Sequence, residues 1–278
     1  MRTASIALLL LWTLGGNPSQ AADSVPTPIA PAAEPPVALI TGSDRGIGFA
    51  LVEELVARGW KVLATCRDPA HAQALQEFAA SHSLVTIETL DVTNTAQIDA
   101  LAAKYRGRPI DVLINNAGVG IQAFPRAGEL DPAEFQRVML VNTYAPLRVA
   151  GAFLEQVAAS RQRKIIAITS GLGSLWQAPQ ATLSYSYNIS KAGLNMAMRL
   201  LQNEVRDRKI IVGMVTPGPV DTDMQRQYRA AAAQAGKPIT SPQLSPADSA
   251  RALVTYIENL GPEKAGRFYS YSGQEVPW

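Results

Sequence analysis

Val37-Ala-Leu-Ile-Thr41-Gly42-Ser43-Asp44-Arg45-Gly46-Ile47-Gly48, followed by Phe49-Ala-Leu-Val-Glu-Glu-Leu-Val-Ala-Arg58-Gly59, is the stretch that decides the fold. Its first five residues are apolar and partly β-branched, the composition of a buried strand. The second segment carries apolar residues at helical spacing and ends on a glycine stop. The order is therefore strand, glycine turn, helix. Glycines in such a turn let the backbone approach a pyrophosphate, which the free amides and positive dipole end of the helix N-terminus then hold. The spacing is Gly-x-x-x-Gly-x-Gly rather than the Gly-x-Gly-x-x-Gly of other dinucleotide binders.

The charges around this loop refine the ligand. Arg45 stands where the loop enters the helix, a place the helix dipole makes unfavourable for a cation unless an anion is near. About 20 residues on, the second strand, Trp60 to Arg67, ends in Cys66-Arg67, where an NAD site would present an acid to the ribose 2′-hydroxyl. An arginine there suits a 2′-phosphate, so the two arginines favour NADP(H). Asp68 is followed by Pro69 and reads as an N-cap with proline at the first helical position. Ser43-Asp44 puts an acid inside the loop, either to cap the helix or to weaken anion binding slightly.

Further strands end at Asp91-Val92 and at Asn115-Asn116-Ala117-Gly118, the latter a small-residue turn against which a planar ring can pack. Amphipathic helices intervene, one of them opening at Asp131-Pro132-Ala133-Glu134 as N-cap, N1 and capping-box acid. Alternation of strand and helix predicts an α/β protein with a parallel sheet covered on both faces and ligands at the carboxyl ends of its strands.

Tyr187 and Lys191 lie four residues apart in Ser184-Tyr-Ser-Tyr187-Asn-Ile-Ser-Lys191, so a helix sets phenol and ammonium on one face. Tyr185 lies about 200° away around that helix. A cation about 4 Å from the phenol, at an effective dielectric of about 20, favours the phenolate by roughly 4 kcal/mol. That predicts a tyrosine ionising at roughly pH 7, able to exchange a proton with a carbonyl or an alcohol.

Taken together, Thr41-Gly42-x-x-x-Gly46-x-Gly48, Asp91, Asn115-Asn116-Ala117-Gly118, Asn142, Ser170, Tyr187-x-x-x-Lys191 and Pro217-Gly218-x-Val220-x-Thr222-x-Met224 resemble the short-chain dehydrogenase/reductase superfamily in order and approximate spacing. The likeness runs from Val37 to the end. The C-terminal run Gly266 to Trp278 is similar to the ending of the sniffer-like and C-factor-like carbonyl reductases. The resemblance implies a single Rossmann-type doubly wound parallel sheet, with Gly42, Arg45, Gly46, Ile47, Gly48, Arg67, Asp91, Val92, Asn116, Ala117, Gly118, Tyr187, Lys191, Pro217, Gly218, Val220 and Thr222 around NADP(H). It implies that Tyr187 gives the proton to a carbonyl oxygen, that Lys191 lowers its pKa and holds the nicotinamide ribose, and that Ser170 orients the carbonyl. It further implies that Asn142, opening a long helix to Ser160, holds the water that reprotonates Lys191. Ser174 rivals Ser170, because it stands 13 residues before Tyr187; Ser170 is preferred for its strand-end context, with extra residues looping around Ala178-Pro179.

The core from Val37 onward suits one domain, residues 37–278, and 47% hydrophobic residues can bury a substantial centre. A formal charge of +2 argues for neither nucleic acid nor an anionic membrane. His71 and His82 lack metal-ligand spacing, and Cys66 stands alone, so no metal is expected. Arg2, the apolar Ile6 to Leu14 and Ser19-Gln-Ala21 resemble an export signal over residues 1–22, too short for a membrane span. Residues 23–36 are rich in proline and alanine and read as a tether. Export to a periplasmic or extracellular space follows, or a cytoplasmic location if the true start lies later. The functional expectation is reduction of a small or medium apolar aldehyde or ketone, with Trp176, Met224 and Tyr228 as pocket walls and residues 224–245 as a lid. The competing expectation is a non-catalytic cofactor-binding or signalling protein. The resemblance further implies that the apolar faces of helices Asn142–Ser160 and Tyr187–Arg206 pair across a two-fold axis in a homo-oligomer, a dimer or tetramer.

Overall fold

The strand and helix alternation is realised as a seven-stranded, wholly parallel sheet in the order β3-β2-β1-β4-β5-β6-β7. The computed structural model describes residues 34–121, 123–177 and 184–278, so the leader, most of the tether and the Ala178-Pro179 loop lie outside the described residues. The strands are β1 Val37–Thr41, β2 Lys61–Cys66, β3 Val85–Thr89, β4 Val112–Asn115, β5 Lys164–Ile168, β6 Ile211–Thr216 and β7 Phe268–Ser270. Between them run α1 Gly46–Ala57, α2 Gln73–Ser81, α3 Thr95–Lys104, α4 Pro132–Met139, α5 Ala145–Ala152, α6 Leu154–Ala158, α7 Tyr185–Val205, α8 Asp223–Gln234 and α9 Pro246–Glu258.

Burial on both faces explains why the strands read as apolar runs rather than as alternating ones. In β1, Ala38 and Ile40 enter a core shared with α1 and α9. Leu39 between them enters the opposite core, with α3, α5 and α7. Each fully buried leucine, isoleucine or valine there contributes roughly 1.5–3 kcal/mol. Buried Lys164 of β5 donates from Nζ to the carbonyls of Ile257 (2.6 Å) and Glu258 (3.2 Å), closing the C-terminal end of α9.

Two local expectations need correction, and one open alternative is decided. Asn142 does not open a helix: the helix begins at Pro132, passes through a π turn at Leu140–Tyr144, continues as α5 and breaks at Phe153 before α6. Pro146 accounts for the wide turn, since it cannot donate to the carbonyl of residue 142 and its ring crowds that group. The capping box at Asp131 is incomplete. Its carboxylate accepts from Ala133 N at 2.9 Å, but Glu134 turns to Arg137 instead, at 2.7 and 2.8 Å. Asp44 caps nothing; α1 opens on Arg45 without a side-chain cap, and the Asp44 carboxylate lies 3.8 Å from Arg45 Nε. Asp68, by contrast, accepts from Ala70 N at 3.1 Å with Pro69 first in its 3₁₀ turn, as read.

Chain order reverses between β1 and β4, and this switch point opens a crevice at the carboxyl ends of the strands. The predicted motifs all end there.

Candidate active site

The glycine loop is shaped by contacts no other residue would permit. Gly42 and Gly46 have φ of +69° and +57°, in the left-handed region. A Cβ on Gly48 would lie 1.9 Å from the Gly42 carbonyl oxygen and 2.6 Å from Asn116 Nδ2. Asn116 fastens the loop to the end of β4, donating from Nδ2 to the carbonyls of Thr41 (3.0 Å) and Gly42 (2.8 Å). The Thr41 hydroxyl accepts in return from Asn116 N and Ala117 N, at 3.0 and 3.1 Å. The Asn116 carboxamide is thus spent on the loop, leaving the Ala117–Gly118 backbone to face a ligand. No side chain caps α1, so its first amides remain available to an anion.

Arg45 and Arg67 are both exposed beside this loop, the second directly after β2. Asp91 is half-buried and its carboxylate accepts from Thr93 N (2.9 Å) and Thr93 Oγ1 (2.7 Å). Val92 packs on the core that contains α3, so it supports the crevice from behind.

Tyr187 and Lys191 share one face of α7, with Lys191 Nζ 5.8 Å from the centre of the Tyr187 ring. Tyr185 is exposed on another face. Lys191 is buried and donates to the Ile168 carbonyl at 3.1 Å. Burial of its hydroxyl pushes Tyr187 up to about 12, against which a hydrogen bond with Ser170 pulls down and the nearby Tyr228 pushes up. Burial likewise lowers Lys191 to about 8. The expected fall of Tyr187 to neutral pH is therefore not what this geometry gives, because desolvation favours the uncharged form of both partners.

Ser170 follows β5 and opens a 3₁₀ turn at Gly171–Gly173, accepting on Oγ from Leu172 N at 3.2 Å. Ser174 is elsewhere: it is buried, donates to the Pro277 carbonyl at 2.6 Å and accepts from Gln177 N at 3.2 Å. Of the two rivals, Ser170 is the one beside Tyr187. Asn142 is fully buried, with Oδ1 accepting from Val119 N at 2.8 Å and Nδ2 donating to Val119 O (3.0 Å) and Ser190 Oγ (3.1 Å). It ties the loop after β4 to α7. A Cβ on Gly118 would lie 3.3 Å from Asn142 Oδ1 and 3.8 Å from Lys191 Nζ, so this glycine keeps the backbone open beside the lysine.

A cleft runs from Ser170 and Tyr187 to Pro217, Gly218, Val220 and Thr222. Thr222 caps α8, accepting from Gln225 N at 3.2 Å, and its methyl would be 3.3 Å from a Cβ on Gly46, so the start of α8 overhangs the phosphate loop. Met224 and Tyr228 line the cleft as expected, and the Tyr228 ring lies 5.9 Å from that of Phe124. Trp176 does not line it. That side chain is 69% exposed, and its backbone N–H is held by the Trp278 carbonyl at 2.9 Å. Ile121 and Leu172, which also line the cleft, were missed, since neither carries a chemical signal in the sequence. Among the described residues, no group of His, Cys, Asp or Glu could hold a metal, and no helix is long and apolar enough to cross a membrane.

Residues 36–233 match the short chain dehydrogenase family. C-signal of Myxococcus xanthus is 38% identical over 179 residues, 64% of this chain and 99% of its own length. An NADPH-bound carbonyl reductase from chicken fatty liver shares the fold with a TM-score of 0.78 at 30% identity, covering 88% of this chain and 100% of that one. Carbonyl reductase Sniffer of D. melanogaster gives a TM-score of 0.77 at 26% identity, covering 87% and 99%. With the parallel sheet, the glycine loop and the Tyr187–Lys191 face already in place, the chain belongs to the short-chain dehydrogenase/reductase family and is similar there to the Sniffer-type carbonyl reductases.

Proposed function

We propose that this chain is an NADPH-dependent oxidoreductase that reduces the carbonyl of an aldehyde or ketone to an alcohol. The observation that carries the reading is the meeting of Ser170, Tyr187 and Lys191 beside one cleft that Ile47 of the glycine loop also lines. The cradle suits the cofactor: Gly48 leaves no space for a side chain, α1 has free amides, and Arg45 and Arg67 offer charge to a 2′-phosphate. The NADPH in the chicken neighbour supports the same choice. Bound there, NADPH would supply the hydride for the carbonyl carbon.

Everything else falls to the chain's own groups. Tyr187, held protonated at neutral pH by burial, is a proton donor ready for the carbonyl oxygen. Ser170 hydrogen-bonds that oxygen and fixes its orientation. Giving up the proton leaves a phenolate, and Lys191 is the cation within reach to stabilise it. Ile121, Leu172 and Met224 supply an apolar wall that fits an apolar carbonyl compound and keeps water away. Purified chain, NADPH and a panel of aldehydes and ketones test this: turnover of at least one carbonyl is expected, whereas NADPH binding without turnover across the panel favours a non-catalytic binding protein.

Two further readings belong with it. Met196 (61% exposed) and Leu200 (59% exposed) continue an apolar stripe with Ile189 along α7, beside exposed Leu140, Tyr144 and Leu147. This supports a homo-oligomer, and a monomer by light scattering at micromolar concentration contradicts it. The charged, then apolar, then small-residue leader supports export, which recovery of processed chain outside the cytoplasm tests.

A further inference from the structure

Asn195 lies four residues beyond Lys191 and eight beyond Tyr187, so the three occupy one face of α7. It is 2% exposed. Its Oδ1 accepts from the Thr169 hydroxyl at 2.7 Å, and its Nδ2 donates to the Gly173 carbonyl at 3.4 Å, the longer and weaker of the two. Thr169 immediately precedes Ser170, and Gly173 closes the turn that Ser170 opens, donating its N–H to the Ser170 carbonyl at 2.9 Å. One buried carboxamide therefore reaches both ends of the turn that carries Ser170.

Packing sets how close that turn comes to α7. A Cβ on Gly173 would lie 2.7 Å from the carbonyl carbon of Lys191 and 2.9 Å from its Cβ, so the turn rests on the backbone of the lysine itself. Thr169 N donates to the Val215 carbonyl at 2.9 Å, Ser174 Oγ to the Pro277 carbonyl at 2.6 Å and Lys191 Nζ to the Ile168 carbonyl at 3.1 Å, which hold the flanks of the turn. Among the described residues, Asn195 alone bonds from α7 to both Thr169 and Gly173, the residues on either side of Ser170.

We propose that Asn195 is a positioning residue, locking the Ser170 turn onto the helix of Tyr187 and Lys191 so that serine and tyrosine converge on the same carbonyl oxygen; this rests on the role given to Ser170 above. A purely structural asparagine would also be buried and bonded, so the test must read coupling rather than stability. Kinetics with NADPH and the best carbonyl substrate are measured for the full chain, Asn195→Ala, Ser170→Ala and the double variant, alongside NADPH affinity. Asn195→Ala is expected to lower kcat about 10- to 100-fold, as a displaced orienting group does, with KM and NADPH affinity little changed. In the Ser170→Ala background the same change should cost no more than about twofold, because the residue it positions is gone. Thr169→Val removes only the donor to Oδ1 and keeps its shape; a smaller loss in the same direction is expected, and this variant carries the test should Asn195→Ala fail to fold. An equal loss in both backgrounds, or an unchanged kcat, overturns the role of Asn195 alone. An unchanged kcat in Ser170→Ala overturns the role of Ser170 and the inference with it.

Discussion

Lys191→Met puts the electrostatics of the site to a quantitative test. Burial lowers the folded-state pKa of Lys191 from 10.5 to about 8, whereas in the unfolded chain it titrates at its ordinary value. Between those two values the unfolded chain holds a proton that the folded chain has released, so this group makes stability rise with pH across the window. Below about 8 both states are charged, and the folded state bears the full cost of burying the ammonium, on the order of 3 kcal/mol. Methionine keeps the length and apolar stem without the charge, but forfeits the bond to the Ile168 carbonyl, which costs about 1 kcal/mol. The variant is therefore expected to be more stable than the parent at pH 7 by about 2 kcal/mol, and this advantage should shrink by a similar amount on approaching about pH 9.5. Urea denaturation of both proteins at stepped pH reads the difference, and titrations common to both chains cancel. A difference that stays constant from pH 7 to about 9.5 refutes the buried, depressed lysine.

Gly48→Ala should weaken NADPH binding and destabilise the fold by about 1–3 kcal/mol, because the new Cβ would lie 1.9 Å from the Gly42 carbonyl; thermal melting and cofactor titration check it, with NADPH affinity expected to survive Gly151→Ala, on α5, where no atom lies within 4 Å and φ is not positive. Arg67→Glu should raise the NADPH dissociation constant about 10- to 100-fold while leaving NADH nearly unchanged, and equal losses for both in titration count against a 2′-phosphate partner. Ser174→Ala should cost about 1–2 kcal/mol through its lost bond to Pro277 yet keep kcat, whereas Ser170→Ala should lose about 100-fold or more in kcat; the reverse pattern in stability and rate assays would exchange their roles.

How much of this was legible in the sequence depended on whether a residue's task is local. The Val37–Gly48 run prescribed its own strand, turn and helix start, since the positive φ of Gly42 and Gly46 and the approach of Gly48 to the Gly42 carbonyl are local backbone demands, even though Ala117 and Thr222 also crowd the loop from afar. Tyr187 and Lys191 could be paired because helical periodicity fixes their separation. Long-range contacts were not visible in this way. Nothing near Trp176 in sequence announces that the Trp278 carbonyl will hold its backbone, and nothing near Asn116 shows that its side chain serves Thr41 and Gly42, 75 and 74 residues away. The Tyr187 pKa was misjudged for the same reason: a pairwise charge can be read from spacing, but the desolvation that outweighs it is a property of the packed molecule. Pro146 was a legible clue to the π turn at Asn142, and Asn195 was legible as the next residue in the row Tyr187, Lys191.

The most direct test of carbonyl reduction by this site compares the parent with Tyr187→Phe in NADPH oxidation against a carbonyl that the parent turns over. Phenylalanine keeps the ring and removes the proton, so kcat should fall by about 100-fold or more, the scale of a lost general acid, while NADPH affinity stays within about twofold. A Tyr187→Phe protein that retains most of its activity, or a larger loss from Tyr185→Phe, contradicts the assignment of Tyr187 as the proton donor.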